Sequence, residues 1–159
     1  SGDENAAVPP LYAVGCAGRI TSFSETDDGR MMIVLTGLCR FRVAAELPST
    51  RLYRSVTPDW TPYHHDLVED DATAVNRDRL FGLLQIYFKK HGIGVDWKMV
   101  QNAPDDVLVS TAIMISPLPV AEKQALLEAM TFADRAKMLE ALLEMAVMPQ
   151  GDAEGEMRH

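Results

Sequence analysis

The apolar residues of this chain change their spacing once, and that single change limits the folds open to it. Between Leu11 and Thr57 they alternate with polar residues; beyond about Asp71 they recur every three or four positions. Alternation puts successive side chains on opposite faces of a strand. A three-to-four spacing gathers them on one face of a helix. Strands followed by helices define an α+β fold, and 159 residues suit one domain or two small subdomains sharing a core.

The clearest strand is Leu38 to Ala45, where Cys39, Phe41 and Val43 alternate with Arg40 and Arg42. The apolar set is expected to point inward and the guanidiniums outward. Val14, Cys16 and Ile20 share one parity, and therefore one strand face. Gly15-Cys16-Ala17-Gly18 lies inside that strand pattern, so its glycines mark a bulge or bend. Asp27-Asp28-Gly29 signals a turn into a separate strand over Met31 to Thr36. Pro48 ends the Leu38–Ala45 strand, and Arg51 to Val56 reads as a further one. Residues 1–10 read as a flexible lead, 11–58 as the β part, and 59–71 as a connector rich in proline, aromatics and acids.

Residues 72–148 read as a bundle of about four helices. The first, from about Asp71 to His91, carries Leu80, Leu83, Leu84, Tyr87 and Phe88 at helical spacing. Glu69, Asp70 and Asp71 stand at its start and Lys89, Lys90 and His91 at its end, matching the helix dipole, with Gly92 as the C-terminal stop. The second, Asp105 to Ile115, is apolar on nearly every side and is expected to be central and buried. The third covers about Val120 to Ala129. The fourth runs from Phe132 to Met148, with Thr131 as its N-cap and Leu139, Leu142, Leu143 and Ala146 on one face. Residues 149–159 read as a flexible tail.

Charge and motifs exclude several classes of chemistry. The net charge is −8, with none of it on residues 1–58. A net acidic chain is a poor generic partner for polyphosphate. The sequence has no Gly-rich loop ending in Gly-Lys-Ser/Thr, no Gly-x-Ser-x-Gly elbow, and no Cys-x-x-Cys or His-Glu-x-x-His spacing. No catalytic, cofactor-binding or metal-binding residue is therefore assigned. His64-His65-Asp66 is the best metal candidate, but adjacent histidines on an extended segment diverge, and the segment reads as a solvated linker. Arg40, Arg42, Arg51 and Arg54 read as a solvated outer face, the alternative being an RNA-binding stripe. Trp60, Tyr63 and Trp97 are expected to cover the seam between sheet and helices, and Met138, Met145 and Met148 to be core. No apolar run approaches the length of a membrane span, which points to the cytoplasm.

Cys16 and Cys39 sit in apolar strand patterns and read as reduced core thiols. In a three-strand meander with Met31–Thr36 between them they lie two strands apart, about 9–10 Å, too far to be bridged.

Several stretches carry a resemblance. Leu11-Tyr-Ala-Val-Gly-Cys-Ala-Gly-Arg-Ile-Thr-Ser-Phe23, then Asp27-Asp-Gly-Arg30 and Leu35-Thr-Gly-Leu-Cys-Arg-Phe-Arg-Val43, resemble the Lon protease N-terminal, or LON substrate-binding, domain. So does Ala121-Glu-Lys-Gln-Ala-Leu-Leu-Glu-Ala129, followed by Arg135 and Leu139-Glu-Ala-Leu-Leu143. The order and spacing of these stretches, over most of residues 11–147, look closest to stand-alone bacterial LON-domain proteins.

The resemblance implies a PUA-like antiparallel β-barrel followed by a helical bundle, and a role in recognising protein substrates or unfolded polypeptide segments. It carries over no catalytic residue, because Lon's ATPase and its Ser-Lys pair lie in other domains. The family's first barrel strands have no counterpart in this sequence, so the barrel is expected to be partial. Its open edge, with Leu11, Tyr12, Val14 and Ile20, is then the expected protein-binding site and the expected place of self-association. An RNA-binding PUA-like module is the alternative function, although the charge disfavours nucleic acid; no membrane partner is expected.

Overall fold

A computed structural model describes residues 9–67 and 75–148. The chain divides into two compact units, with the boundary between Asp70 and Asp71.

In the first unit, β1 (Val14–Glu25), β2 (Met31–Leu47) and β3 (Ser55–Asp59) form an antiparallel sheet in the order β1-β2-β3. The sheet is open, with β1 and β3 at its edges. Gly29 supplies the positive φ (76°) that the turn between β1 and β2 requires. Thr26 and Asp28 brace that turn: the Thr26 hydroxyl donates to Asp28, and Arg30 Nε donates to Asp28 Oδ2 at 2.7 Å. The Arg30 guanidinium, followed by the Thr26 hydroxyl, holds the Asp28 carboxyl down to about 2.

The separate strands expected over Met31–Thr36 and Leu38–Ala45 are one strand of 17 residues. Leu38 is an extra residue opposite the Ala17–Gly18 step, and this irregularity lets β2 continue past Gly37 instead of turning. Gly18 thus marks a bulge, as expected. Gly15 has another role: a Cβ there would lie 2.8 Å from Phe41 Cζ, so the glycine makes room for the ring of its cross-strand partner. Pro48 follows the last residue of β2. The third strand begins later than expected, at Ser55, and holds Pro58 on a sheet edge, where a missing donor is tolerated. The connector is partly ordered: Thr61–Leu67 forms 3₁₀ turns kinked at Tyr63.

In the second unit, α1 (Arg77–Lys90), α2 (Trp97–Gln101), α3 (Asp105–Ile115), α4 (Val120–Glu128) and α5 (Phe132–Val147) surround one core. The first helix starts later than expected because Asn76 caps it, its side chain accepting from Arg79 N–H; the acidic cluster at 69–71 lies outside the described residues. Its C-terminus ends as read, with Gly92 at φ 67°. Thr131 caps α5 by accepting from Asp134 N–H. Leu80, Leu84, Tyr87 and Phe88 of α1 pack with Leu108 and Val109 of α3, Leu126 of α4, and Leu139 and Leu143 of α5.

Three features depart from expectation. Helix α2 is an additional short element, capped by Asp96 and held by Arg77, which ion-pairs with Asp105 and donates to the carbonyls of Gln101 (2.9 Å) and Ala103 (2.7 Å). Helix α3 buries only Leu108, Val109 and Ala112, and exposes Val107, Met114 and Ile115, because its neighbours cover one side. Met138 packs on the core, but Met145 and Met148 are exposed, since they lie off the Leu139–Leu143 stripe.

Candidate binding face

The hairpin of β1 and β2 carries apolar residues with no partner in the first unit. The register opposes Ile20 to Leu35, Phe23 to Ile33 and Glu25 to Met31, with Thr21 as an extra residue. Directly opposed residues share a face, and β2 residues two apart share a face. Ile20, Phe23, Met31, Ile33 and Leu35 therefore form one stripe, each 50–64% exposed. The opposite face is more polar: Ser22 and Ser24 stand across from Val34 and Met32, and the Thr21 and Thr36 hydroxyls meet at 3.1 Å.

The hairpin is anchored at its other end, where β2 outruns its partner. Pairing between β2 and β3 begins at Arg42 opposite Asp59, so the Arg40 N–H lies beyond the ladder. The chain leaving β3 supplies a substitute acceptor. Asp66 Oδ2 accepts from Arg40 N–H at 2.9 Å, and both carboxylate oxygens accept from the Arg40 guanidinium, Nη2 to Oδ1 at 2.6 Å. Tyr63 lies under that guanidinium, 4.5 Å from ring centroid to Cζ. Burial alone would raise the Asp66 carboxyl, but the hydrogen bonds and charge of Arg40 outweigh it and hold it below the usual range. Beside it, Trp60 packs edge-on against Phe41 at 5.3 Å.

Several readings from sequence are corrected here. Arg40 points not into solvent but into this pair, and is 4% exposed. Arg54 binds Glu46 and the Pro9 carbonyl, both at 2.6 Å, and Arg51 donates to the Tyr53 hydroxyl. Arg42, Arg51 and Arg54 are nevertheless exposed, as expected of all four, so Arg40 is the one that departs. Trp60 and Tyr63 pack on their own sheet, and Trp97 packs on Phe81 and Phe88 among the helices. His64 and His65 do not diverge as an extended segment would make them: in the 3₁₀ turns their rings meet edge to face, centroids 5.9 Å apart, and His64 Nδ1–H donates to the Thr61 carbonyl.

Cys16 is exposed and Cys39 is buried, and neither is bridged. The reading of Cys16 as a core thiol fails because its end of the β1 face is uncovered. The two cysteines are on adjacent strands rather than two strands apart. Cys16 opposes Arg40 and Cys39 opposes Ala17, so alternation sends them to opposite faces. Burial, and then the charge of Asp66, push the Cys39 thiol up.

Of the residues expected at the binding edge, Leu11 and Tyr12 are exposed but precede β1, Val14 is buried, and Ile20 belongs to the exposed stripe. Phe23, Met31, Ile33 and Leu35 were not assigned from sequence. For Met31, Ile33 and Leu35 the signal was present in the unbroken apolar run Met31–Leu35, which covers both faces of a strand instead of one. Among the described residues no group of three or more His, Cys, Asp or Glu is placed to hold a metal ion, and no helix is long and apolar enough to cross a membrane.

An open antiparallel sheet that precedes a helical unit is an α+β arrangement. The sequence profile described as the ATP-dependent protease La (LON) substrate-binding domain matches residues 1–145, and the chain belongs to that family. It is also similar to a Lon protease of Azorhizobium caulinodans, 24% identical over 148 residues. That match takes in 91% of this chain but 17% of the length of the relative.

Proposed function

We propose that this chain is a non-catalytic module that recognises protein substrates or partners, holding apolar, extended segments of non-native polypeptide on the Ile20–Leu35 face. The stripe of five exposed apolar residues carries this reading. Monomeric soluble proteins rarely leave contiguous apolar patches beyond a few hundred Å² unless they bind something. No charged side chain interrupts the stripe between Ile20, Phe23, Ile33 and Leu35, and β1 beside it is a sheet edge to which an extended segment can add. The family's description as a substrate-binding domain agrees with this.

The runner-up, RNA binding, draws less support, because Arg40 and Arg54 are occupied by carboxylates. The cytoplasm is the compartment that goes with this reading. The same stripe is also the expected contact between two copies of the chain, which light scattering at rising concentration would reveal.

The test is fluorescence anisotropy with labelled, reduced and carboxymethylated α-lactalbumin, a permanently unfolded chain. Binding that persists in added salt and is lost in Phe23→Asp supports the reading. Absence of binding, or equal binding by the variant, overturns it. Steeply salt-dependent binding of a single-stranded RNA oligomer in its place would favour the runner-up. Turnover of ATP or peptide that follows the purified chain would refute the non-catalytic part.

A further inference from the structure

Among the described residues the sheet has two edge strands, β1 and β3, and only β3 is defended. Edge strands are commonly kept short, charged or interrupted by proline, because their outward N–H and C=O groups can pair with another strand. Strand β3 meets that description: it has five residues, with Pro58 inside it and Asp59 at its end. Strand β1 does not. It has 12 residues, no proline, and one charged side chain, Arg19, before its last residue, Glu25. From Gly18 to Glu25 every residue is exposed.

The sequence of this edge matches itself. Ile20 opposes Leu35, Ser22 opposes Val34 and Phe23 opposes Ile33, with Thr21 extra and tied back to β2 through the Thr36 hydroxyl at 3.1 Å. A two-fold axis at Ser22, perpendicular to the sheet, runs two β1 strands antiparallel. It sets Ser22 against Ser22, Ile20 against Phe23 and Arg19 against Ser24 of the second copy. Such an axis keeps every side chain on its own face, so the apolar pairs meet on the stripe and the polar pairs on the other side. Charge fits as well. Arg19 lies one place along from Glu25 of the second copy, and the symmetry makes this contact twice. An axis nearer Arg19 would bring the two guanidiniums together instead.

We infer that two copies of this chain pair edge to edge through β1 about Ser22, which closes that edge to extended polypeptide until the pair dissociates. The three strands of each copy then form one continuous sheet. Ile20 and Phe23 of the two copies cover one another at the junction, and the outward backbone groups of β1 find partners. The pairing follows from the sheet alone. Its action as a brake rests on the reading of this face as a polypeptide-binding surface.

The test uses the full chain. Sedimentation velocity is expected to show a monomer–dimer equilibrium. Ser22→Lys sets like charges against each other at the axis and is expected to weaken that equilibrium about fivefold. In a Cys16→Ser background with oxidised glutathione, Ser22→Cys is expected to form an interchain disulfide roughly tenfold faster than Ser24→Cys, which faces Arg19 across the axis. The disulfide-linked dimer is expected to bind labelled, carboxymethylated α-lactalbumin at least about tenfold more weakly than its reduced form. A chain that stays monomeric at its highest soluble concentration, equal crosslinking at the two positions, or a dimer untouched by Ser22→Lys would overturn the pairing. A linked dimer that binds as tightly as its reduced form would overturn the closure. Failure of both forms to bind would refute the proposed function and the brake with it, while the crosslink still reports the pairing.

Discussion

The guanidinium of Arg40 is clasped by the carboxylate of Asp66, 26 positions further along the chain, and the same carboxylate accepts the Arg40 backbone N–H at 2.9 Å. One acidic side chain thus completes a strand where the sheet ladder stops and neutralises a charge that the fold has buried. Breaking one side of such a pair leaves the other uncompensated, which is costly even where the intact pair adds little net stability.

Asp66→Asn is therefore expected to destabilise the sheet unit by about 3 kcal/mol. Urea denaturation followed by Trp60 emission in a Trp97→Phe background checks this. The folded carboxyl titrates below its ordinary value of 3.8. Its stabilisation is thus complete above that pH and is lost as pH falls through the lower folded value. The gap between the parent and Asp66→Asn should narrow below pH 3.8; a gap that widens there would contradict the assignment.

Phe23→Ser and Ile33→Ser are expected to uncouple binding from stability. Both side chains are at least half exposed, so each change should alter unfolding stability by no more than about 0.5 kcal/mol. Together they should weaken binding of the unfolded polypeptide at least roughly tenfold, from the apolar area removed. A large loss of stability would show that the stripe is already covered in solution.

Cys16 and Cys39 should differ sharply in reactivity. Thiol titration of the native chain is expected to find one fast thiol, Cys16, with Cys39 slower by about 100-fold or more until denaturant is added. Cys16→Ser should remove the fast phase. Two fast thiols would mean that the β2–Tyr63 contact opens readily.

Gly15→Ala is expected to destabilise by about 1–2 kcal/mol, because the new Cβ meets the Phe41 ring. Phe41→Leu should recover part of that loss in the double variant, and the coupling between the two positions is measurable from their denaturation midpoints.

Local signals account for what was read correctly from sequence. Asp105–Ile115 is bounded by prolines, Thr131 offers a capping oxygen three residues before Asp134, and Gly29 and Gly92 stand where the backbone needs positive φ. Where a residue's role depends on a distant partner, the reading failed. Arg40 alternates with Phe41 as an outward residue does, and nothing near it in sequence announces Asp66. Cys16 has an apolar pattern around it, but pattern alone cannot say whether anything packs on that face.

By itself the sequence determined the change from strands to helices, the turn at Asp27–Gly29, the Thr131 cap, the Gly92 stop and the family. These follow from φ/ψ preference, side-chain periodicity and hydrogen bonds within a few residues, all encoded locally. The tertiary structure decided that β2 runs unbroken through Gly37, that Arg40 is buried while Cys16 is not, that Met145 faces outward, and that Ile20, Phe23, Met31, Ile33 and Leu35 share an uncovered stripe. Burial and strand register depend on which segments meet, and those meetings join residues far apart in the chain, where one sequence carries no local record of the contact.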